Sequence, residues 1–403
     1  MLTVEEALEQ ILSRVNTLPT ERVPILSALG RALAESVVSS REIPPWPNSS
    51  MDGYAVRAAD TRSAPARLAV VGIVAAGSMP SRAVGAGEAM RIFTGAPLPE
   101  GADAVVPQED TETTDGHVTL KTAVARGAYV RPRGEDVSVG DAVLEPGVPI
   151  GAAEIGLLAT LGYSQVLVHR RPRVAILSTG NELAELGREP GPGQIPNTNS
   201  YSLFAQVLEA GGEPMNLGIA SDRLDSIEER LGWGGAADVL LSSAGVSVGD
   251  LDLVKSALTR AGAELHLWQV SMRPGKPITF GSLAGRPVFG LPGNPVSAMV
   301  TFELFVRPAL RRMAGYRAIH RLRVRARALV PIANPGIRRG YLRVTLERDG
   351  EGWGARLTGD QGSAILTSMV HADGLAVIGG DTTVDPGRDV EVILFRGLET
   401  HVI

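Results

Sequence analysis

The sequence predicts a multidomain α/β-plus-β protein: a central open, three-layer α/β domain, a β-rich insert ahead of it, and a C-terminal β-barrel or sandwich. Three observations predict this. Strand and helix patterns alternate from 172 to about 315, short strands punctuated by glycine and proline fill 46–140, and the pattern changes to period two beyond about 320. The 403 residues are too many for one ordinary core, and 44% hydrophobic with 21% charged residues suits a globular protein with sizeable cores.

In chain order, Thr3 and Glu6 read as a capping box opening an amphipathic helix with Leu8, Ile11, Leu12 and Val15 on one side. A second helical pattern covers 25–37, and Pro44-Pro45-Trp46-Pro47 then halts any helix. Strands are expected at 68–74, 89–92, 104–107 and 118–120, followed by a helix over 152–161. The β segment, 46–140, thus reads as an insert in an N-terminal helical unit made of 1–45 and 141–171. Within 172–317, strands at 174–177, 215–219, 239–242, 265–270 and 287–291 alternate with helices at 200–210, 224–231, 252–261 and 295–313. That alternation predicts an open parallel sheet with helices on both faces. From 318 to 403, Leu322, Val324 and Ala326 alternate with Arg321, Arg323 and Arg325, and strands follow at 341–346, 354–357, 375–377 and 390–395.

Composition removes several function classes. A net charge of −5 argues against a general nucleic-acid binder. The absence of cysteine excludes thiolate metal sites, iron–sulfur clusters, cysteine nucleophiles and disulfides. The six histidines show no paired spacing, and neither a Walker loop nor a GxSxG elbow is present. Glu5 and Glu6 stand where a signal peptide carries positive charge, and no apolar run reaches the roughly 18 residues of a membrane helix. The expectation is a cytoplasmic protein without membrane or nucleic-acid partners.

In an open α/β sheet, ligands bind beyond the carboxyl ends of the strands. Four motifs of the central domain fall there. Ser178-Thr179-Gly180-Asn181-Glu182 follows the first strand, and a plain turn with a solvated glutamate would also explain it. The run from Ser242 to Asp252 has small residues, Ser247 and Gly249 among them, whose backbone N–H groups can converge on an anion. Its Asp250 and Asp252 would repel a phosphate unless a cation bridges them, which points to Mg²⁺, although one of them can simply cap the helix. Arg273-Pro274-Gly275-Lys276-Pro277 is a stiff cationic loop suited to an oxyanion, in a chain with three lysines against 36 arginines. In Leu291-Pro292-Gly293-Asn294-Pro295, Asn294 fits an N-cap and Pro295 the first helical position. The insert adds Ser50-Met51-Asp52-Gly53-Tyr54-Ala55, where exposed Met and Tyr beside an aspartate are unusual for a simple turn, and Arg133-Gly134-Glu135-Asp136.

Taken jointly and in this order, with Thr94-Gly95-Ala96-Pro97 and Gly101-Ala102-Asp103, these motifs resemble the MoeA family of molybdopterin molybdenumtransferases, which includes the E domain of gephyrin. The resemblance runs over essentially the whole chain. It implies a four-domain homodimer whose central cleft is closed by the Asp52 loop of the other subunit. It implies insertion of molybdate into adenylylated molybdopterin with release of AMP, aided by Mg²⁺, and a molybdopterin adenylyltransferase as the partner that supplies substrate. Carried over by motif, Asp52, Glu182, Asp252 and Asp136 would serve catalysis, with Glu182, Asp222 and Asp252 at the metal. Thr179, Gly180, Ser247, Gly249, Asp250, Arg273, Lys276, Pro292, Asn294 and Pro295 would bind substrate, and Arg343 and Ser363 would add anion contacts. One departure is Ala244, where the family's loop usually has a second glycine. The central domain alone also resembles molybdopterin adenylyltransferases and a nucleotide-deamidase group, and gephyrin offers a non-enzymatic scaffold reading. The insert and the C-terminal β domain argue against the first two, and the lack of appended linkers in this sequence against the third.

Overall fold

The computed structural model describes residues 1–243 and 253–395, so Ala244, Ser247, Gly249, Asp250 and Asp252 lie outside the described residues. The chain divides into two compact units, one of 36–145 with 156–163, the other of 1–35, 146–155 and 164–403.

In the larger unit, a six-stranded sheet runs in the order Glu213–Ala220, Arg173–Thr179, Val239–Ser243, Arg286–Leu291, Pro277–Leu283, Glu264–Gln269. The first four strands are parallel; Pro277–Leu283 runs antiparallel between Arg286–Leu291 and Glu264–Gln269. The sheet is therefore mixed rather than parallel throughout, and the strand Pro277–Leu283 was not anticipated. Its cause is local. Ala284 (φ 50°) and Gly285 (φ 78°) form a two-residue turn into Arg286–Leu291, and a turn that short joins only antiparallel neighbours. Helices Thr198–Glu209, Leu224–Trp233 and Leu253–Arg260 lie close to their expected positions. The expected helix over 295–313 is helical throughout but has a π turn, Phe302–Val306, between Pro295–Thr301 and Arg307–Met313.

The helix Val4–Leu12 opens with the expected capping box: the Glu6 N–H donates to Thr3 Oγ1 at 3.2 Å, and the Thr3 N–H to Glu6 Oε2 at 2.8 Å. It buries Val4, Ala7 and Ile11 in the core that also holds Ile176, Phe280 and Phe289. The second expected helix does not form. Pro24 and Gly30 (φ 73°) confine it to one tight turn, Ile25–Ala28, after which the Leu33 and Ala34 N–H groups donate to Val148 and Leu167. Beyond 320 a five-stranded barrel closes in the order Arg339–Asp349, Gly352–Leu357, Arg323–Ala328, Asp389–Leu394, Gly374–Ile378 and back to the first. Arg323 and Arg325 are exposed while Ala326 is buried, as the alternation predicts, but Leu322 is also exposed.

The smaller unit is built on a six-stranded sheet ordered Ala104–Pro107, Gly53–Val56, Glu88–Ile92, Ala66–Val74, His117–Leu120, Thr111–Thr114. Tyr54, expected to be exposed, is instead buried at 6% exposure, because Gly53–Val56 is an inner strand of this sheet. Its hydroxyl lies 2.8 Å from Thr113 Oγ1, and the Arg91 guanidinium sits 5.0 Å over its ring. Met51 is exposed, as expected. Among the described residues no helix is long and apolar enough to cross a membrane.

One ionic clamp holds the lower edge of the central sheet. Arg170 donates to both oxygens of Asp238 at 2.8 Å, and the Arg173 N–H donates to Asp238 Oδ2 at 2.8 Å. These residues immediately precede or begin two adjacent parallel strands. Burial pushes the Asp238 carboxyl upward, but the bonds and charge from Arg170 and Arg173 outweigh it and hold the group below its usual range. A carboxyl with a lowered folded pKa contributes stability above about pH 3.9 and loses it as pH falls through the folded value. Asp238 is 14% exposed and Arg170 32%, so solvent screening limits the contribution. We expect Asp238→Asn to lower unfolding stability by about 1–2 kcal/mol at pH 7, and to flatten the loss of stability below about pH 4. Denaturant titrations across that range check both.

Candidate functional site

The parallel strands end at a cleft of about 690 Å³ whose lining includes Thr179, Glu182, Asn197, Asn199, Ser243 and Asn294. It sits at the topological switch of the sheet. From Arg173–Thr179 the chain moves to one neighbour, Glu213–Ala220, and then crosses to the other, Val239–Ser243. Diverging loops open a crevice at such a point.

The floor of the crevice is a closed polar ring whose proton directions can be worked out. Ser178 Oγ lies 3.1 Å from Asn197 Oδ1, 2.8 Å from Ser200 Oγ and 3.0 Å from Ser243 Oγ. The Ser200 N–H donates to Asn197 Oδ1, which fixes the amide orientation, and Asn197 Nδ2 donates to Ser200 Oγ at 2.9 Å. Asn197 Oδ1 accepts only, so the single Ser178 proton goes to it, and Ser200 and Ser243 must each donate to Ser178. All four residues are at most 2% exposed. Ser243 is paired with Ser178 in the sheet register, so the ring ties the two switch strands to the first turn of Thr198–Glu209.

Above this floor stands the turn Thr179–Glu182. Gly180 has φ 144°, and a Cβ there would lie 2.4 Å from Glu182 Oε2, so the glycine lets the glutamate fold back over the turn. Asn181 and Asp222 lock the turn reciprocally: the Asn181 N–H donates to Asp222 Oδ2 and the Asp222 N–H to Asn181 Oδ1, both at 3.1 Å. Glu182, on this turn, and Asp222, on the loop after Glu213–Ala220 that is hydrogen-bonded to it, are exposed carboxylates. Their hard oxygen donors are of the kind Mg²⁺ takes. Among the described residues no third acidic or histidine ligand joins them.

Asn294 occupies the N-cap position before Pro295, as expected, but its side chain makes no capping bond. It donates instead to Ser363 Oγ at 3.0 Å, and the Val296 N–H donates to the Ser363 carbonyl. Pro292, Asn294 and Pro295 line the cleft. Arg343 is fully buried, donating to Ser368 Oγ at 3.0 Å and to the carbonyl of Gly362, next to Ser363, at 2.9 Å. Burial pushes its pKa down to about 10, Asp360 partly countering and Arg273 adding to the shift. Among the described residues its Nη1 has no partner.

The cationic loop divides. Arg273 donates to the Pro335 carbonyl at 3.1 Å, a bond that anchors the loop. The Lys276 side chain makes no hydrogen bond or ion pair among the described residues and remains available to an anion. In the smaller unit, Asp52 Oδ1 accepts from the Thr94 N–H and hydroxyl, both at 2.8 Å. Those two bonds hold its carboxyl below the usual range. Asp136 is exposed, and its backbone N–H donates to the Ile43 carbonyl.

Thr179, Gly180, Glu182, Asp222, Pro292, Asn294, Pro295 and Ser363 thus gather about one cleft. Sequence reasoning missed Ser178, Asn197, Asn199 and Ser200 as site residues. The available signal was the polar run Asn197-Thr198-Asn199-Ser200 opening a helix at the same sheet edge.

Residues 2–162 match the family model described as the MoeA N-terminal region (domain I and II). Residues 175–312 match the probable molybdopterin binding domain, and 325–395 the MoeA C-terminal region (domain IV). The chain is 39% identical to the molybdopterin molybdenumtransferase of Nostoc sp. over 93% of its own length and 88% of the relative's. It is 36% identical to molybdopterin molybdenumtransferase 1 of Mycobacterium tuberculosis over 100% of both. A crystal structure of the molybdopterin biosynthesis protein MoeA from Pyrococcus horikoshii superposes with a TM-score of 0.84 at 31% identity, covering 98% of this chain and 100% of that one. Three family models in order and whole-length relatives above 30% identity agree: the chain belongs to the molybdopterin molybdenumtransferase family.

Proposed function

We propose that the protein inserts molybdate into adenylylated molybdopterin and releases AMP, acting in the cytoplasm as a Mg²⁺-dependent homodimer. The observation that carries this reading is the cleft itself, with exposed carboxylates on the turn Thr179–Glu182 and at Asp222, and the cation Lys276, without a side-chain partner among the described residues, on a nearby loop of the same domain. The division into 1–45 with 141–171, 46–140, 172–317 and 318–403 belongs to the same reading, as does supply of substrate by a molybdopterin adenylyltransferase.

Glu182 and Asp222 would hold Mg²⁺, with Asp252 as the third carboxylate. When bound, the ion supplies charge to offset the phosphate anion that leaves with AMP. The protein's own groups do the positioning. Lys276 holds molybdate, with Arg343 and Ser363 as further anion contacts, and Arg273 keeps the Lys276 loop fixed to the C-terminal barrel. Thr179, Gly180, Asn294 and Pro295 shape the wall against which the pterin nucleotide rests, while Ser247 and Gly249 complete its phosphate contacts and Asp250 reaches the phosphate through the bridging cation. Asp52, kept ionised by Thr94, enters from the other subunit, and Asp136 supports the same edge. Reaction then follows from placement: water cleaves the P–O–P linkage to give AMP and the pterin phosphate, and the dithiolene sulfurs bond to molybdenum as molybdate oxygen leaves as water with the thiol protons, the metal keeping its oxidation state.

Three outcomes test the reading. With adenylylated molybdopterin and Mg²⁺, AMP release measured by chromatography should depend on molybdate, and Glu182→Gln should lower it roughly 10–100-fold. ATP consumption with unmodified pterin in place of AMP release would assign the adenylyl-transfer step instead. Lys276→Ala should raise the molybdate KM about ten-fold or more with a smaller change in kcat, because a charged contact to the ground-state oxyanion is lost. Finally, Asp52→Ala and Glu182→Ala subunits are each expected to be inactive alone. Mixed by refolding, they should recover about one quarter of wild-type activity, since half the dimers then carry one intact composite site. No recovery would place Asp52 in the same subunit's site.

A further inference from the structure

Asn199 lines the cleft but has no part in the ring beneath it. It is 9% exposed, and it donates from Nδ2 to the Gly293 carbonyl at 2.7 Å. A carbonyl can only accept, so the amide orientation is fixed and Oδ1 is the free end. That oxygen is buried, and among the described residues it has no hydrogen-bond partner. A buried amide oxygen left unsatisfied is unfavourable and uncommon, and in a substrate cleft the missing donor is a ligand's to supply.

The chemistry of that donor is restricted. Phosphate and molybdate are acceptors, so neither can satisfy an amide oxygen. Ser243, which also lines the cleft, adds no donor, because its proton is committed to Ser178. Ile195, Pro196, Pro277 and Pro292 make the nearby lining apolar and stiff, which suits a flat ring better than a hydrated sugar.

We propose that Asn199 is a specificity-determining residue: its Oδ1 accepts a hydrogen bond from the exocyclic amine of a planar nitrogen heterocycle in the substrate. This rests on the reading of the cleft as the substrate site. Two parts of the proposed substrate carry such an amine, the pterin and the adenine.

Calorimetric titrations separate them. The probes are AMP with purine riboside 5′-monophosphate, which lacks the adenine amine, and pterin with 2-desaminopterin. Wild-type protein should bind the amine-bearing member of one pair about ten-fold more tightly than its partner, and that pair identifies the ring. In Asn199→Leu, or in Asn199→Ala if the leucine variant does not fold, the difference should vanish while the amine-free probe binds as it does to wild type. A merely structural role would weaken both members of the pair equally, and that result overturns the proposal. So does a wild-type protein that binds both members alike, since water then satisfies Oδ1. If neither AMP nor pterin binds wild type, the reading of the cleft itself fails.

Discussion

The cleft depends on one closed set of hydrogen bonds, the ring of Ser178, Asn197, Ser200 and Ser243 at the switch point of the sheet. Each bond contributes about 0.5–1.5 kcal/mol net, a modest sum. Its consequence is larger than its energy, because every proton direction in the ring is determined and no member is free to turn. Two parallel strands and a helix start are thereby held in one relation where diverging loops would otherwise leave it slack. Deleting a member would also leave buried partners unsatisfied, about 1–3 kcal/mol each, so the ring resists piecemeal change.

From that floor the cleft sorts ligand chemistry by position. The turn carrying Glu182 and its neighbour Asp222 presents carboxylate oxygens, Lys276 presents a cation, and the floor at Asn199 presents a neutral acceptor. Under the proposed function, a substrate with phosphate and an amine-bearing ring would meet different partners along its length. The clamp of Arg170, Arg173 and Asp238 lies at the opposite ends of the same strands. Charge used for stability is thus kept a strand's length from charge left open for ligand.

Much of the fold was legible because hydrophobic period reports the face an element buries. The parallel strands, the barrel strands and the helix Thr198–Glu209 were visible for that reason. Residues 25–37 misled because an apolar pattern does not register backbone conformation: Gly30 takes a left-handed φ, and the following N–H groups pair with other strands. Pro277–Leu283 was hidden because its loop motif read as chemistry, while Ala284-Gly285 set its direction. At the site, motif spacing located the turns but not their partners. That Asn294 reaches Ser363 rather than capping its own helix, and that Arg273 donates to the Pro335 carbonyl, are long-range facts that local sequence does not encode.

The two glycines of the acidic motifs show how sterics can be as specific as charge. At Gly180 a Cβ would strike the carboxylate of Glu182. A flexible side chain could swing aside, but at φ 144° any other residue also strains the backbone, so substitution there would strain the turn as well as displace the group it presents. At Gly53 a Cβ would lie 2.0 Å from the Val106 carbonyl oxygen. That atom belongs to the neighbouring strand of a six-stranded sheet and cannot move without breaking register. The residue after Asp52 is therefore fixed by backbone approach, and the strand it begins delivers Asp52 to Thr94 at the sheet edge. The Asp52-Gly53 dipeptide is, in three dimensions, the condition for placing an ionised carboxylate at the end of a buried strand.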